Sequence, residues 1–167
     1  MSDATLLRNG DRPILRFERH LPQSRDDVWR MVTDPHEMTS WFPTRIEIDQ
    51  WKEGATLTHH FDEHDIDPLP GRVIEWDPPH RVRFTWADDT ISFELSPDPT
   101  GGTIFVLTEE LGRARAARNA AGWDSCLDRL EFAHEAETWT SRFDRYSAAF
   151  APVLGPQEGP PENIHVS

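Results

Sequence analysis

The middle of the chain alternates apolar and polar residues with a period of two, which is typical of β-strands with one buried face. Short turns rich in Gly, Pro and Asp separate these segments, so consecutive strands are expected to pair as antiparallel neighbours. The sequence therefore predicts an antiparallel sheet with one apolar and one polar face. The predicted strands are 14–20, 45–49, 57–62, 71–76, 81–86, 91–95 and 103–108.

Two short helices are predicted between the first strand and the rest of the sheet. Ser24 is a favourable N-cap, and Asp26 and Asp27 follow it in the first turn, where the helix dipole favours carboxylates. Asp34 can cap the next helix, and Pro35 suits its first position.

After Gly112 the apolar period returns to 3.6, which predicts a long helix over Arg113–Glu137, on the order of 35 Å in length. Its apolar stripe consists of Trp123, Cys126, Leu127, Leu130, Ala133 and His134. A second stripe, formed by Trp139, Phe143, Tyr146 and Phe150, predicts a further helix over 138–151.

These elements predict one α+β domain over 13–137. A curved antiparallel sheet of about seven strands would hold the long helix and leave a space beneath it. Residues 1–12 are expected to be flexible, and 152–167 to form a tail rich in Pro and Gly.

Composition narrows the classes of partner. The chain of 167 residues carries 30 Asp and Glu against 17 Lys and Arg, a net charge of −13 that disfavours nucleic acid and a polybasic membrane contact. No apolar stretch is long enough to span a membrane, and the N-terminus lacks a secretory signal pattern. A single cysteine, Cys126, excludes an intramolecular disulfide. We therefore expect a cytoplasmic protein with neither nucleic acid nor membrane as a partner.

Aromatic residues are the compositional feature with a bearing on function. The chain has seven Trp and nine Phe but one Tyr. Trp86 and Trp123 lie on strand and helix faces that should meet, and Trp41 follows the short helices near the expected mouth, whereas Trp29 and Trp139 are expected to support the fold elsewhere. An apolar pocket between sheet and helix is predicted, with a lining of Trp41, His59, Phe61, Phe84, Trp86, Phe93, Trp123 and Leu127.

Four groups of residues, in the same order along the chain, resemble a known superfamily. They are Ser24–Trp29 with Asp34-Pro35 and Trp41-Phe42; Gly71–Pro79 running into Val82–Trp86; Gly102-Thr103 with Leu107-Thr108; and Gly122-Trp123 with Leu127 and Leu130. This pattern resembles the START-like, or SRPBCC, superfamily, and within it the branch of activator-of-Hsp90-ATPase homologues, the AHSA1-like proteins. The resemblance implies a helix-grip fold that encloses a cavity.

The resemblance implies no single activity, because relatives bind apolar ligands, cyclise polyketides, hydrate or dehydrate small molecules, or act as cochaperone domains. Two departures from the pattern are visible. Glu109 and Glu110 follow Thr108, where many members have a His, and the segment from Trp139 to Ser167 extends beyond the core fold.

His59 is the strongest single candidate for chemistry, because it alternates with Leu57 and Phe61 and should face the apolar side of its strand. It is either a core histidine with a hydrogen-bonded neighbour or a polar anchor in the pocket. A carboxylate among Glu75, Glu94 and Glu109 could complete an acid–base pair, but spacing alone does not bring one into the cavity.

Two other candidates are set aside. His60, Asp62 and His64 share one strand face, but residues two apart on a strand are about 6–7 Å apart, too far for one zinc ion, so no metal is expected. Cys126 has no histidine beside it in the helical pattern, so no catalytic nucleophile is assigned.

Three functions follow as hypotheses. The first is a cofactor-free protein that binds a small hydrophobic or aromatic ligand without catalysis. The second is a cyclase- or hydratase-like enzyme that uses the same cavity, with His59 and a carboxylate as acid and base. The third is a cochaperone-like interaction module that binds a chaperone partner. An exposed stripe on the last helix would in addition support a homodimer.

Overall fold

The computed structural model describes residues 3–9, 11–133 and 137–161. Within these ranges eight strands form one antiparallel sheet in the order β1-β2-β8-β7-β6-β5-β4-β3, which confirms the predicted α+β helix-grip class. The strands are β1 (Thr5–Asn9), β2 (Arg12–Leu21), β3 (Arg45–Glu47), β4 (Thr56–His60), β5 (Leu69–Asp77), β6 (Arg81–Trp86), β7 (Asp89–Pro97) and β8 (Thr103–Glu110).

The two short helices form where the capping residues predict them. In α1 (Arg25–Thr33) the Ser24 hydroxyl accepts the backbone N–H of Asp27 at 3.2 Å. In α2 (Pro35–Met38) the Asp34 carboxylate accepts the N–H groups of His36 and Glu37. Both helices connect β2 to β3 and cover one end of the sheet.

The N-terminal segment differs from the expectation of a flexible stretch over 1–12. Thr5–Asn9 pairs along its whole length with the first half of β2, from Thr5 opposite Arg16 to Asn9 opposite Arg12. It adds the eighth strand where about seven were predicted. Its few apolar residues gave no clear alternation, and the pairing is supplied by the long neighbouring strand β2.

The long helix is shorter than the predicted Arg113–Glu137. A single 3₁₀ turn (Arg113–Arg115) precedes α3 (Ala116–Leu130), which is about 22 Å long. Phe132 then takes a positive φ of 56°, and the N–H of Ala133 returns to the carbonyl of Asp128, a backbone arrangement that ends a helix. The predicted stripe residue His134 lies outside the described residues.

The core lies between the inner face of the sheet and α3. Every second residue of the central strands points inward, as the period of two requires. The strand residues Leu15, Phe17, Phe84, Phe93, Phe105 and Leu107 are fully buried together with Leu127 of α3.

The last helix, α4 (Trp139–Leu154), packs against α3 and extends beyond the predicted 138–151. Tyr146, Phe150 and Leu154 are buried on this contact. The apolar stripe on which we based a homodimer is thus largely covered within the chain, so the structural reason for that expectation is gone. The homodimer and the chaperone partner stay untested predictions.

None of the helices in the described ranges has the length and apolar character needed to cross a membrane.

Candidate functional site

A cavity of about 1090 Å³ lies between the sheet and α3. Its walls come from the connection between α2 and β3, the loop after β4, the end of β6 and one side of α3. The aromatic residues on these walls are Phe42, Phe61, Trp86, Trp123 and Trp139.

Three of the predicted pocket residues, Phe61, Trp86 and Trp123, line this cavity. The ring centroids of Trp86 and Trp123 are 6.4 Å apart in an edge-to-face arrangement, which confirms that the strand and helix faces meet here. Both rings arrive from regular elements, so the protein holds this part of the wall rigidly.

Four other predicted residues, Trp41, Phe84, Phe93 and Leu127, lie in the filled core and do not reach the cavity. Trp41 donates its indole N–H to the Met31 carbonyl at 2.9 Å, and its ring packs 5.6 Å from Phe93. The expectation that Trp41 lies at the mouth is wrong because the chain turns after α2 and carries this ring inward.

His59 also stays behind the cavity wall, with no exposed surface. Its Nε2 lies 3.1 Å from the Thr85 carbonyl, which can only accept, so this nitrogen carries the proton. Its Nδ1 lies 3.0 Å from the Thr44 hydroxyl and accepts from it. The ring stacks on Trp86 with 4.8 Å between centroids.

Burial lowers the pKa of His59 to about 4, although the hydrogen bond to the Thr85 carbonyl acts in the opposite direction and raises it. The ring is therefore neutral near pH 7. Of the two interpretations of His59, the structure supports the hydrogen-bonded core histidine and gives it no contact with the cavity. Gly71 leaves room for this ring, since a Cβ there would lie 2.3 Å from the Thr85 carbonyl oxygen and 3.1 Å from His59 Nε2.

Phe42 lines the cavity although it was not predicted to. Its ring lies 5.9 Å from Trp86 and 5.5 Å from Trp123, so it closes the gap between strand and helix. The available signal was its position beside Trp41 at the end of the short helices, and in the structure both rings are buried.

Trp139 was expected to support the fold elsewhere, yet it too lines the cavity. It begins α4 and stacks on Phe143 with 5.2 Å between ring centroids. By contrast Trp29, which was given the same role, packs against Trp76 away from the cavity.

Glu109 on β8 is the polar residue that sequence reasoning did not bring to the site. It is only 2% exposed and lines the cavity. Asn119 donates to its Oε1 at 2.5 Å, and the Trp123 indole N–H donates to its Oε2. The inward positions of Phe105 and Leu107 continue to Glu109 with the same period, which is the signal that could have identified it.

Burial, and after it the nearby negative charge of Asp89, raise the pKa of Glu109 to about 7. Its two hydrogen-bond donors act in the opposite direction but are outweighed. Glu109 can therefore exist in both protonation states near neutral pH. The other two carboxylates considered with it do not reach the cavity, since Glu94 is exposed and Glu75 lies near Arg81 on β6.

Asp89 and Arg115 stand beside Glu109 at the same end of the cavity. Both oxygens of Asp89 accept from the Arg115 guanidinium, at 2.7 and 2.9 Å. Arg12 approaches the same carboxylate at 3.5 Å. The pKa of Arg115 is raised by this partner.

The C-terminal tail after α4 runs back along the start of α3 and reaches the cavity. The Gln157 side chain accepts the N–H of Ala117 at 2.9 Å and donates to the Arg113 carbonyl at 3.0 Å. Pro160 and Pro161 follow and form part of the cavity wall.

Asp62 and Cys126 also line the cavity, and each is in contact with an arginine. Asp62 is held by Arg45 at 2.6 and 3.1 Å, and the described residues contain no cluster of three His, Cys, Asp or Glu that could hold a metal. Cys126 is buried on α3, 3.3 Å from a guanidinium nitrogen of Arg129.

A family model described as activator of Hsp90 ATPase homolog 1-like protein matches residues 22–135. The chain belongs to this family. The match covers the region from α1 to just beyond α3 and leaves out β1, β2, α4 and the tail. Among curated proteins, none matches the sequence.

Solved structures share the fold at low sequence identity. A conserved protein of unknown function, EF2215 from Enterococcus faecalis, is 19% identical with a TM-score of 0.77, covering 90% of this chain and 91% of its own. CalU16 from Micromonospora echinospora is 18% identical with a TM-score of 0.70, covering 91% and 97%. DynU16, from the dynemicin biosynthetic locus, is 24% identical with a TM-score of 0.62, covering 71% and 46%.

Proposed function

We propose that this chain binds a small, largely apolar or aromatic molecule in the cavity between the sheet and α3. The observation that carries the proposal is an aromatic-walled cavity of about 1090 Å³, comparable to the roughly 300–1,000 Å³ of sites that bind small molecules. Apolar walls of this kind supply affinity, and a few fixed polar groups orient the ligand.

Native mass spectrometry of the purified protein tests whether a molecule is retained. A second test uses 2-naphthalenemethanol, an uncharged aromatic probe, with quenching of tryptophan fluorescence as the readout. Saturable 1:1 binding is expected, because three indoles line the wall.

Phe61→Ala removes a partly exposed cavity ring and is expected to weaken probe binding about tenfold, while Leu7→Ala, at an exposed position on β1, should leave binding unchanged. Equal binding by both variants, or no saturable binding and no retained molecule, would overturn the proposal.

A second candidate function, acid–base catalysis on the bound molecule, is favoured by one observation. Glu109 lines the cavity with a pKa near neutrality, where a carboxyl can both accept and donate a proton. In this candidate function the acid–base group is Glu109 and not His59, because His59 does not reach the cavity. If the wild type changes the mass of a retained molecule by gain or loss of water and Glu109→Gln does not, catalysis is supported; an unchanged mass in both leaves binding alone.

A further inference from the structure

The arginines on the cavity wall are engaged by the protein's own groups. Arg45 is held by Asp62, Arg115 by Asp89 at 2.7 Å, and Arg118 by Glu158 at 3.3 Å. Arg129 donates to the Trp41 carbonyl and contacts Cys126. An anionic ligand would have to compete with these existing contacts.

The hydrogen-bond partners of Glu109 are of a different kind. Its two oxygens accept hydrogen bonds from an amide and an indole, both uncharged donors. Among the described residues, no Arg, Lys or His forms an ion pair with it, although Arg115 and Arg118 act on it from further away. The carboxyl of Asp89, of like sign, acts on it through its charge and through a side-chain hydrogen bond. Each carboxylate oxygen retains a second lone pair that a ligand could use.

Aromatic rings stand next to this carboxyl. Trp123, which donates to Glu109, lies edge-to-face with Trp86 and 5.5 Å from Phe42. The faces of aromatic rings attract cations, most strongly when water is excluded. A buried carboxylate that forms no direct ion pair and lies beside such rings is the chemistry that recognises an organic cation.

We propose, building on the ligand-binding role above, that this end of the cavity selects a molecule with a protonated amine attached to an aromatic or apolar group. The amine N–H donates to the Glu109 carboxylate, and the apolar part packs on Trp86, Trp123 and Phe42. No covalent step is involved.

Binding of the cation is coupled to release of a proton from Glu109, since the amine interacts favourably only with the ionised carboxylate. The charged groups that face Glu109 are Asp89 from β7, Arg115 from the 3₁₀ turn and Arg118 from α3, with Arg12 of β2 behind Asp89. These four are already in ion pairs.

Three probes with the same ring test the proposal: 2-naphthylmethylamine, 2-naphthalenemethanol and 2-naphthoate, a cation, a neutral alcohol and an anion. At pH 8 we expect the amine to bind about tenfold more tightly than the alcohol, and the anion most weakly. Between pH 8 and pH 5.5 the amine should lose affinity as Glu109 takes up a proton, while binding of the alcohol stays nearly constant.

The matched variants are Glu109→Gln and Glu110→Gln, which remove the same charge from adjacent residues on opposite faces of β8. Glu109→Gln should abolish the preference for the amine and keep binding of the alcohol. Glu110, which pairs with Arg12 and does not line the cavity, should be replaceable with the preference intact. Circular dichroism establishes that both variants fold.

Four outcomes overturn the inference. Tightest binding of 2-naphthoate would show that the arginines dominate recognition. Equal loss of the preference in both variants would reduce it to an effect of overall charge. Binding of the alcohol without any preference for the amine would overturn the inference and leave the proposed function standing. Binding of none of the three probes, together with no retained molecule in native mass spectrometry, would overturn both.

Discussion

The two sides of α3 both bury carboxylates, but they treat them in opposite ways. On the side that faces α4 and β2, Asp128 is bound by Arg142, and Asp124 by Arg19 at 3.2 Å and by the Tyr146 hydroxyl at 2.5 Å. On the side that faces the cavity, Glu109 has only uncharged donors. Both groups are almost completely buried.

This difference separates a structural network from the proposed recognition site. A buried carboxylate paired with arginine is satisfied, and its partners are elements of the same chain that must stay together. A buried carboxylate without a cation is costly, and the cost is recovered when a ligand or a proton neutralises it. On the proposed function, the stability lost on the cavity side is recovered when a ligand binds there.

Arg142→Met should produce the largest effect, because it leaves Asp128 charged, buried and without its ion-pair partner. We expect a loss of about 3–5 kcal/mol in the free energy of unfolding, measured by chemical denaturation. The control is Arg30→Met on α1, where Arg30 forms an exposed ion pair with Glu37 of α2. This variant should lose no more than about 1 kcal/mol in the free energy of unfolding. Similar losses in both variants would remove the distinction between structural and surface pairs.

Glu109→Gln should instead raise the free energy of unfolding, because it removes a carboxylate that is buried in the folded protein without an ion-pair partner. The folded pKa of about 7 lies above the ordinary value of 4.5, so the wild-type contribution is full below pH 4.5 and is lost as the pH rises to about 7. We expect the variant to be more stable than wild type by on the order of 2 kcal/mol at pH 7.5, with the gain vanishing near pH 4.5.

Thermal unfolding of both proteins across this pH range measures the effect, with Glu110→Gln as the isosteric control that should follow the wild type. A constant difference between wild type and Glu109→Gln at every pH would mean that the carboxyl is not the group responsible.

His59→Leu should give the smallest change. The substitution leaves the Thr85 carbonyl and the Thr44 hydroxyl without their partner, so we expect a loss of about 1–2 kcal/mol at pH 7.5. Because the pKa of His59 is lowered to about 4, the wild type loses this advantage as the pH falls from 6.5 towards 4, and the two proteins should converge.

Binding of 2-naphthalenemethanol should persist in the folded His59→Leu variant, since the ring does not reach the cavity. His36→Leu, at an exposed position in α2, serves as the control for stability. A variant that keeps its stability and loses binding would restore His59 as the polar anchor.

The fold could be predicted from local patterns because each element satisfies a local rule. Capping by Ser24 and Asp34 depends on groups within three residues, and the alternation in β8 follows from the geometry of one strand. The strand Thr5–Asn9 was missed because its pairing comes from β2, and the end of α3 was misplaced because an apolar stripe does not show where φ turns positive.

The site was predicted less well, and His59 and Glu109 show why. Alternation indicates that both face inward, but it does not distinguish a filled layer from a cavity. His59 meets Thr85 of β6 and Thr44 before β3, whereas Glu109 meets Asn119 and Trp123 of α3. Those partners lie on other elements, so only the assembled sheet and helix determine which polar side chain reaches open space.

The path of the tail after α4 has a consequence for the diversity of this family. The shared domain ends at residue 135, yet Trp139, Pro160 and Pro161 stand on the cavity wall. The Gln157 side chain fixes this segment to the start of α3 through two hydrogen bonds. One wall of this cavity therefore lies outside the domain that defines the family, so a relative that matches the shared domain alone need not share that wall.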